Sequence, residues 1–190
     1  MSFPQESTRP KRTDHGTPDD LFQAVNAIFR FDLDAAANET NHKVRHWLGP
    51  GSSMGQDALS CDWHRYGHRI WCNPPYRRGQ MRHWMGKAAD AAWEGATVVM
   101  LVFARVDTAW WNSFVHGIAD TVIFLKGRVQ FEGEDAGAMA PSALVIYAPM
   151  GLLVNQTRYV SGAELKDEPH DHLQTRRSGA IMEGACSELP

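Results

Sequence analysis

The chain is poor in cysteine, with three in 190 residues, at positions 61, 72 and 186. That number builds no disulfide framework, and a reducing cytoplasm is the expected compartment. Long apolar runs are missing as well. The longest, Val98–Ala104, falls far short of the roughly 20 residues a membrane-spanning helix needs. Met1–Asp14 is polar and lacks the apolar core of a signal peptide, so no membrane association is expected. There is no Gly-x-Gly-x-x-Gly, which excludes the standard dinucleotide fingerprint. Acidic residues are absent between Trp63 and Lys87, although the chain as a whole carries a net charge of −3.

What is present suits one soluble domain. Hydrophobic residues make up 43% and charged residues 22% of the chain, ordinary values for a globular protein of this length. Residues 1–16 read as a flexible polar arm and residues 161–190 as a polar, disordered tail. Between them, residues 17–150 read as the folded domain. Thr17-Pro18-Asp19-Asp20 opens a helix, with Thr17 as N-cap and Pro18 in the first helical position. Leu21, Phe22, Val25, Ile28 and Phe29 then recur at helical spacing. Met81, Trp84, Met85, Ala88 and Ala92 form one face of a second helix that Gly95 stops. A third is expected after Asp107 or Thr108, with Trp110, Trp111, Phe114, Val115 and Ile118 inward. Strands are expected at Phe31–Asp34, Arg69–Cys72, Thr97–Phe103, Thr121–Leu125, Val129–Glu132 and Ala143–Ala148. The unbroken apolar run at 97–103 marks a central parallel strand buried on both faces. The alternation is α/β: a mostly parallel, doubly wound sheet closed by a late antiparallel strand pair.

The acid-free stretch contains Arg65, Arg69, Arg77, Arg78, Arg82 and Lys87. Such a run is often only a solvated surface, but here it surrounds Asn73-Pro74-Pro75-Tyr76 and favours a polyanionic substrate positioned through its phosphates. Arg105 is expected at the same strand-end level. The tetrapeptide itself suits a simple turn after a strand, but it also suits one particular chemistry. An amino group conjugated to a ring is a poor nucleophile. If the Asn73 side-chain oxygen and the Pro74 carbonyl each accept one of its N–H groups, the lone pair is freed toward an incoming methyl. The prolines stiffen the loop, and Tyr76 offers a flat face for a ring. Asp34-Ala35-Ala36-Ala37 lies at the carboxyl end of the first strand, where small side chains let a cofactor approach the backbone. Asp57 is placed to accept from the amine of a purine, or simply to cap a turn. Cys61, His64, His68 and Cys72 do not match common zinc spacings, and no metal is expected.

Thr17-Pro-Asp-Asp-Leu-Phe, Phe31-Asp-Leu-Asp-Ala-Ala-Ala, Trp71-Cys-Asn-Pro-Pro-Tyr, Phe103-Ala-Arg-Val-Asp-Thr-Ala-Trp-Trp and Lys126-Gly-Arg-Val-Gln-Phe occur in this order. Together they resemble the phage-type DNA N6-adenine methyltransferases over roughly residues 15 to 149. The resemblance implies a Rossmann-like methyltransferase fold, S-adenosyl-L-methionine as cofactor and DNA as substrate, in a bacterial or phage-infected cell. It implies that Thr17 and Pro18 border the methionine end of the cofactor and that Asp34, Ala35 and Ala36 form the first cofactor motif. Asp57 would lie near the cofactor's adenine. Asn73, Pro74, Pro75 and Tyr76 would be catalytic, while Arg77, Arg78, Arg82, Lys87 and Arg105 would contact DNA. No large target-recognition domain is present, so sequence specificity would be modest, or reside in short insertions such as Asn38–Ser53 and Gly133–Pro141, or come from a homodimer rather than a monomer. The loop alone equally serves cytosine N4, guanine N2 in RNA or a protein glutamine amide. A non-catalytic DNA-binding protein that keeps the fold is the rival of another class.

Overall fold

A computed structural model of the chain describes residues 15–133, 137–149 and 156–160. The elements run α1 (Asp19–Phe29), β1 (Leu33–Asp34), two single 3-10 turns (Ala58–Ser60 and Trp63–Arg65), β2 (Arg69–Cys72), α2 (Met81–Trp93), β3 (Thr97–Phe103), α3 (Ala109–Phe114), β4 (Thr121–Leu125), β5 (Ser142–Tyr147) and β6 (Gln156–Val160). The strands form one sheet in the order β1-β2-β3-β5-β4-β6. β1, β2 and β3 are mutually parallel, β5 runs antiparallel between β3 and β4, and β6 lies parallel to β4 at the edge. The fold is therefore α/β with a mixed sheet. No helix of the described residues is long and apolar enough to cross a membrane.

Side-chain alternation along the strands builds two cores, one on each face. Ile70, Cys72, Val98, Met100 and Val102 join the α2 and α3 side with Trp84, Met85, Ala88 and Trp111. Trp71, Val99, Leu101 and Phe103 join the α1 side with Leu21, Phe22 and Val25. All of β3 beyond Thr97 is buried, which is why its sequence is apolar without interruption. Burying each of those side chains contributes roughly 1.5–3 kcal/mol before chain entropy is counted. α2 ends at Trp93, with Glu94 as its C-cap and Gly95 just beyond, whose φ of 100° suits glycine.

The structure departs from the sequence expectations in several places; β1, expected from Phe31, begins only at Leu33. α1 begins one residue late: Pro18, with ψ 134°, is the N-cap, and no side chain caps the helix. Thr17 is used elsewhere, as described below. α3 stops at Phe114, so Ile118 lies beyond the helix and is 53% exposed. Val129–Glu132 is not a strand. It makes one isolated bridge, Glu132 to Gly16, while Ala138 N–H donates to the Val129 carbonyl. β6 carries the sheet beyond residue 150. At the other end, His15 and Gly16 belong to the folded domain rather than to the arm. Residues 1–14 and 161–190, read above as arm and tail, lie outside the described residues, as do residues 134–136 of the Gly133–Pro141 loop.

Candidate active site

β1, β2 and β3 all deliver chain to the same end of the sheet. Asp34 closes β1, Asn73 follows β2 and Arg105 follows β3. Two chambers open there. The smaller, about 270 Å3, is lined by Thr17, Asp34, Ala36, Ala37, Lys43, Gly49, Asp57, Asn73 and Pro75 among others. The larger, about 910 Å3, is lined by Tyr76, Phe103, Trp110, Phe114 and Met139 together with Arg77, Arg78, Arg82 and Arg105. The Asn-Pro-Pro-Tyr loop is the partition between them. Asn73 and Pro75 face the smaller chamber and Tyr76 the larger, while His15 and Arg77 line both.

Asn73 is held by chain from far away in sequence. Its Nδ2 donates to the His15 carbonyl at 2.6 Å and to Thr17 Oγ1 at 3.0 Å. A carbonyl only accepts, so this pair fixes which way the amide points. Here Thr17 does not cap α1: its hydroxyl serves Asn73, 56 positions away. The Asn73 oxygen lies 3.2 Å from the Tyr76 hydroxyl, which also reaches the Leu101 carbonyl at 3.0 Å. One phenolic proton cannot serve both fully, so Asn73 Oδ1 retains accepting capacity. Burial holds the Tyr76 phenol far above its ordinary pKa, keeping it protonated. Phe103 stacks on Tyr76 at 4.0 Å and 22°, which leaves at most one ring face for a substrate. Pro74 is buried and lines neither chamber, so the expected accepting role rests more firmly on Asn73 than on the Pro74 carbonyl.

The smaller chamber is organised around a buried carboxylate. Asp34 is 3% exposed, and its oxygens accept the backbone N–H groups of Ala36 at 3.3 Å and Lys43 at 3.0 Å. Desolvation raises its pKa to about 6, while those bonds and the charges of His42 and Lys43 oppose the rise. The loop that wraps back over it closes through Ala37 N–H to Leu48 O and Leu48 N–H to Asp34 O. At Gly49, with φ 138°, any Cβ would collide with the Ala37 carbonyl. Lys43 then ties three segments together. Its Nζ lies 2.7 Å from both Asp19 on α1 and Glu132 beside Gly16. Asp57 does two things at once: it lines the chamber and caps the Ala58–Ser60 turn by accepting from Leu59 N–H at 3.1 Å.

The structure brings Thr17, Asp34, Ala36, Asp57, Asn73 and Pro75 into one chamber. Ala35 is fully buried behind it, donating its N–H to the Trp71 carbonyl, and Pro18 stands outside the lining. Arg77, Arg78, Arg82 and Arg105 gather around the other chamber, all exposed and without an ion pair among the described residues. Lys87 does not join them; it lies farther along α2, 3.7 Å from Asp62. Among the described residues no three of His, Cys, Asp or Glu gather as a metal site, and Cys72 is buried in the core. Sequence reasoning missed His15 and Lys43. Neither carries a local signal, because each acts through partners distant in the chain.

The two chambers thus meet across one polar loop at the carboxyl ends of the parallel strands of an α/β fold. The model of the DNA N-6-adenine-methyltransferase (Dam) family matches residues 5–170. A DNA N-6-adenine-methyltransferase of Haemophilus phage HP1 (strain HP1c1) is 30% identical over 162 residues, covering 80% of this chain and 88% of that protein. The chain belongs to the DNA N-6-adenine-methyltransferase family. A solved structure from Listeria monocytogenes, described as a candidate class I S-adenosylmethionine-dependent methyltransferase, aligns at 12% identity with a TM-score of 0.49, covering 80% of this chain and 71% of that one.

Proposed function

We propose that the chain transfers a methyl group from S-adenosylmethionine to the N6 amine of adenine in DNA, on a Rossmann-like variant of the α/β fold. The observation that carries this reading is the continuity of the smaller chamber from the Asp34 carboxylate to the Asn73 amide. The chamber's residues fit the cofactor. Ala36, Ala37 and Gly49 keep its walls low, the buried Asp34 carboxylate suits a cationic and hydroxyl-bearing ligand, and Asp57 is available to an exocyclic amine. When bound, the cofactor supplies an electrophilic methyl and a thioether leaving group.

The chain's own part is to position and polarise the acceptor. The target base leaves the DNA stack, so that its amine can reach Asn73. Tyr76 receives it on the ring face opposite Phe103, and the arginines of the larger chamber hold the flanking phosphates. Asn73 Oδ1 accepts one N–H of the amine and so favours the tetrahedral nitrogen whose lone pair attacks. His15 O and Thr17 Oγ1 stop the amide from rotating away. Held this way by Asn73, the N6 lone pair would face the methyl that the bound cofactor would supply, the thioether would be the leaving group, and the extra proton on N6 would pass to water. No covalent enzyme intermediate is required.

The test is incubation of DNA with the enzyme and methyl-labelled cofactor, followed by digestion and mass analysis of the nucleosides. Label in N6-methyldeoxyadenosine is expected. Label in N4-methylcytosine, or only in RNA or protein, would replace the reading with its nearest rival. Absence of cofactor binding by calorimetry would favour a non-catalytic DNA-binding protein.

A further inference from the structure

The larger chamber, about 910 Å3 against about 270 Å3 for the smaller, is a cleft open to solvent whose walls extend well beyond Tyr76. Tyr76 cannot account for that space, since Phe103 occupies one of its faces and it can stack one base only. A second large aromatic lines the chamber. Trp110, at the start of α3, is half-buried, packed on one side against the core. Its near ring, Trp111, lies at 60°, so no ring is stacked on Trp110 among the described residues. Exposed Met139 extends the apolar wall, and the four arginines surround it.

We infer that Trp110 is a second stacking platform, which docks the nucleotide next to the target adenine, and that the preferred substrate is an unpaired DNA strand. The inference rests on the proposed DNA-adenine reading and deepens it. An aromatic face flanked by guanidinium groups that form no ion pair among the described residues matches the chemistry of a single strand, with bases on the rings and phosphates on the arginines. In an intact duplex the neighbouring base stays stacked on its own strand and would not reach Trp110. Trp110 is thus a positioning and specificity residue; the methyl transfer itself remains at Asn73.

The test compares single-stranded oligonucleotides that carry one adenine and an abasic site on its 5′ side, its 3′ side or neither. For the wild-type enzyme, losing the base on one side is expected to raise KM by roughly 5- to 100-fold with a smaller change in kcat. Trp110→Ala should show the same raised KM on the intact strand and no further penalty from the abasic site. Trp110→Phe should recover most of the difference. As a direct readout, 2-aminopurine placed beside the target should lose fluorescence on binding the wild type and keep it with Trp110→Ala. Circular dichroism and cofactor affinity of the variants verify that the fold survives. If the wild type methylates adenine but the abasic penalty is equal in wild type and Trp110→Ala, or duplex DNA is used at the lower KM, the inference is overturned. If no DNA adenine is methylated at all, it is the underlying reading that fails.

Discussion

The two chambers that flank the Asn-Pro-Pro-Tyr loop are built on opposite plans. The smaller is a backbone structure: Asp34, buried, accepts two main-chain N–H groups, the loop over it closes through main-chain bonds, and Lys43 clamps its outer segments with two 2.7 Å ion pairs. The larger is a side-chain structure, made of aromatic rings and exposed arginines. On the proposed reading, the first plan suits one small molecule of constant shape and the second a polymer whose sequence varies and whose backbone charge does not. One loop between them would then let a fixed donor meet a variable acceptor.

Substitutions on the partition should have the largest effect. Asn73→Ala is expected to lower kcat by about 100- to 1,000-fold, the scale for removing one acceptor or donor aimed at the reacting atom. Cofactor affinity, measured by calorimetry, should change by less than about threefold, because the cofactor's other contacts remain. A comparable loss of cofactor binding would erase the distinction between the chambers.

The backbone chamber should respond to pH. Its carboxylate titrates near 6 rather than near the usual 4, because burial disfavours the charge. The folded protein therefore holds this proton longer than the unfolded chain does. This group's contribution to stability is present below about pH 4 and is lost as pH rises through about 6. A cationic cofactor favours the ionised form, so its affinity should climb about tenfold per pH unit up to about 6 and then level off. Calorimetric titrations from pH 4.5 to 8 should show that plateau in the wild type, and a flat, weaker profile in Asp34→Asn.

The side-chain chamber should respond to salt instead. Arg78→Ala combined with Arg105→Ala is expected to weaken DNA binding by about tenfold at moderate ionic strength. It should also reduce the dependence of log affinity on log salt by about 0.7 per lost single-strand phosphate contact. Cofactor affinity should not move. Smallest of all, Thr17→Val removes one neutral hydrogen bond from Asn73, worth about 1 kcal/mol. A roughly fivefold loss in kcat is expected, with thermal unfolding shifted by only a few degrees. If Thr17→Val instead melts α1, its hydroxyl acts as a cap after all.

Much of this arrangement was readable from the chain. The Asn73 loop, the buried run of β3 and the apolar face of α1 each carry their signal within a few neighbouring residues. What escaped depends on partners the sequence does not name. The Thr17 hydroxyl can cap a helix or bond a distant amide, and nothing local decides between them. His15 acts through its carbonyl, which every residue type possesses. Val129–Glu132 alternates as a strand would, yet its backbone is spent on Gly16 and on Ala138. β6 takes its hydrogen bonds from β4 at the sheet edge, so its assignment comes from a neighbour rather than from its own pattern. The basic residues of the acid-free block divide in space: Arg65 and Lys87 face Asp62 and Arg69 faces Asp32, away from the arginines of the larger chamber.

The most direct test is a crystal structure of the enzyme with S-adenosylhomocysteine and a single-stranded oligonucleotide carrying one adenine. The cofactor product is predicted in the chamber of Asp34 and Asp57, with its sulfur turned toward Asn73. The adenine should lie on Tyr76, its N6 within hydrogen-bond reach of Asn73 Oδ1 and in line with the sulfur. Cofactor density in the arginine-rimmed chamber, or a sulfur directed away from Asn73, would contradict the account.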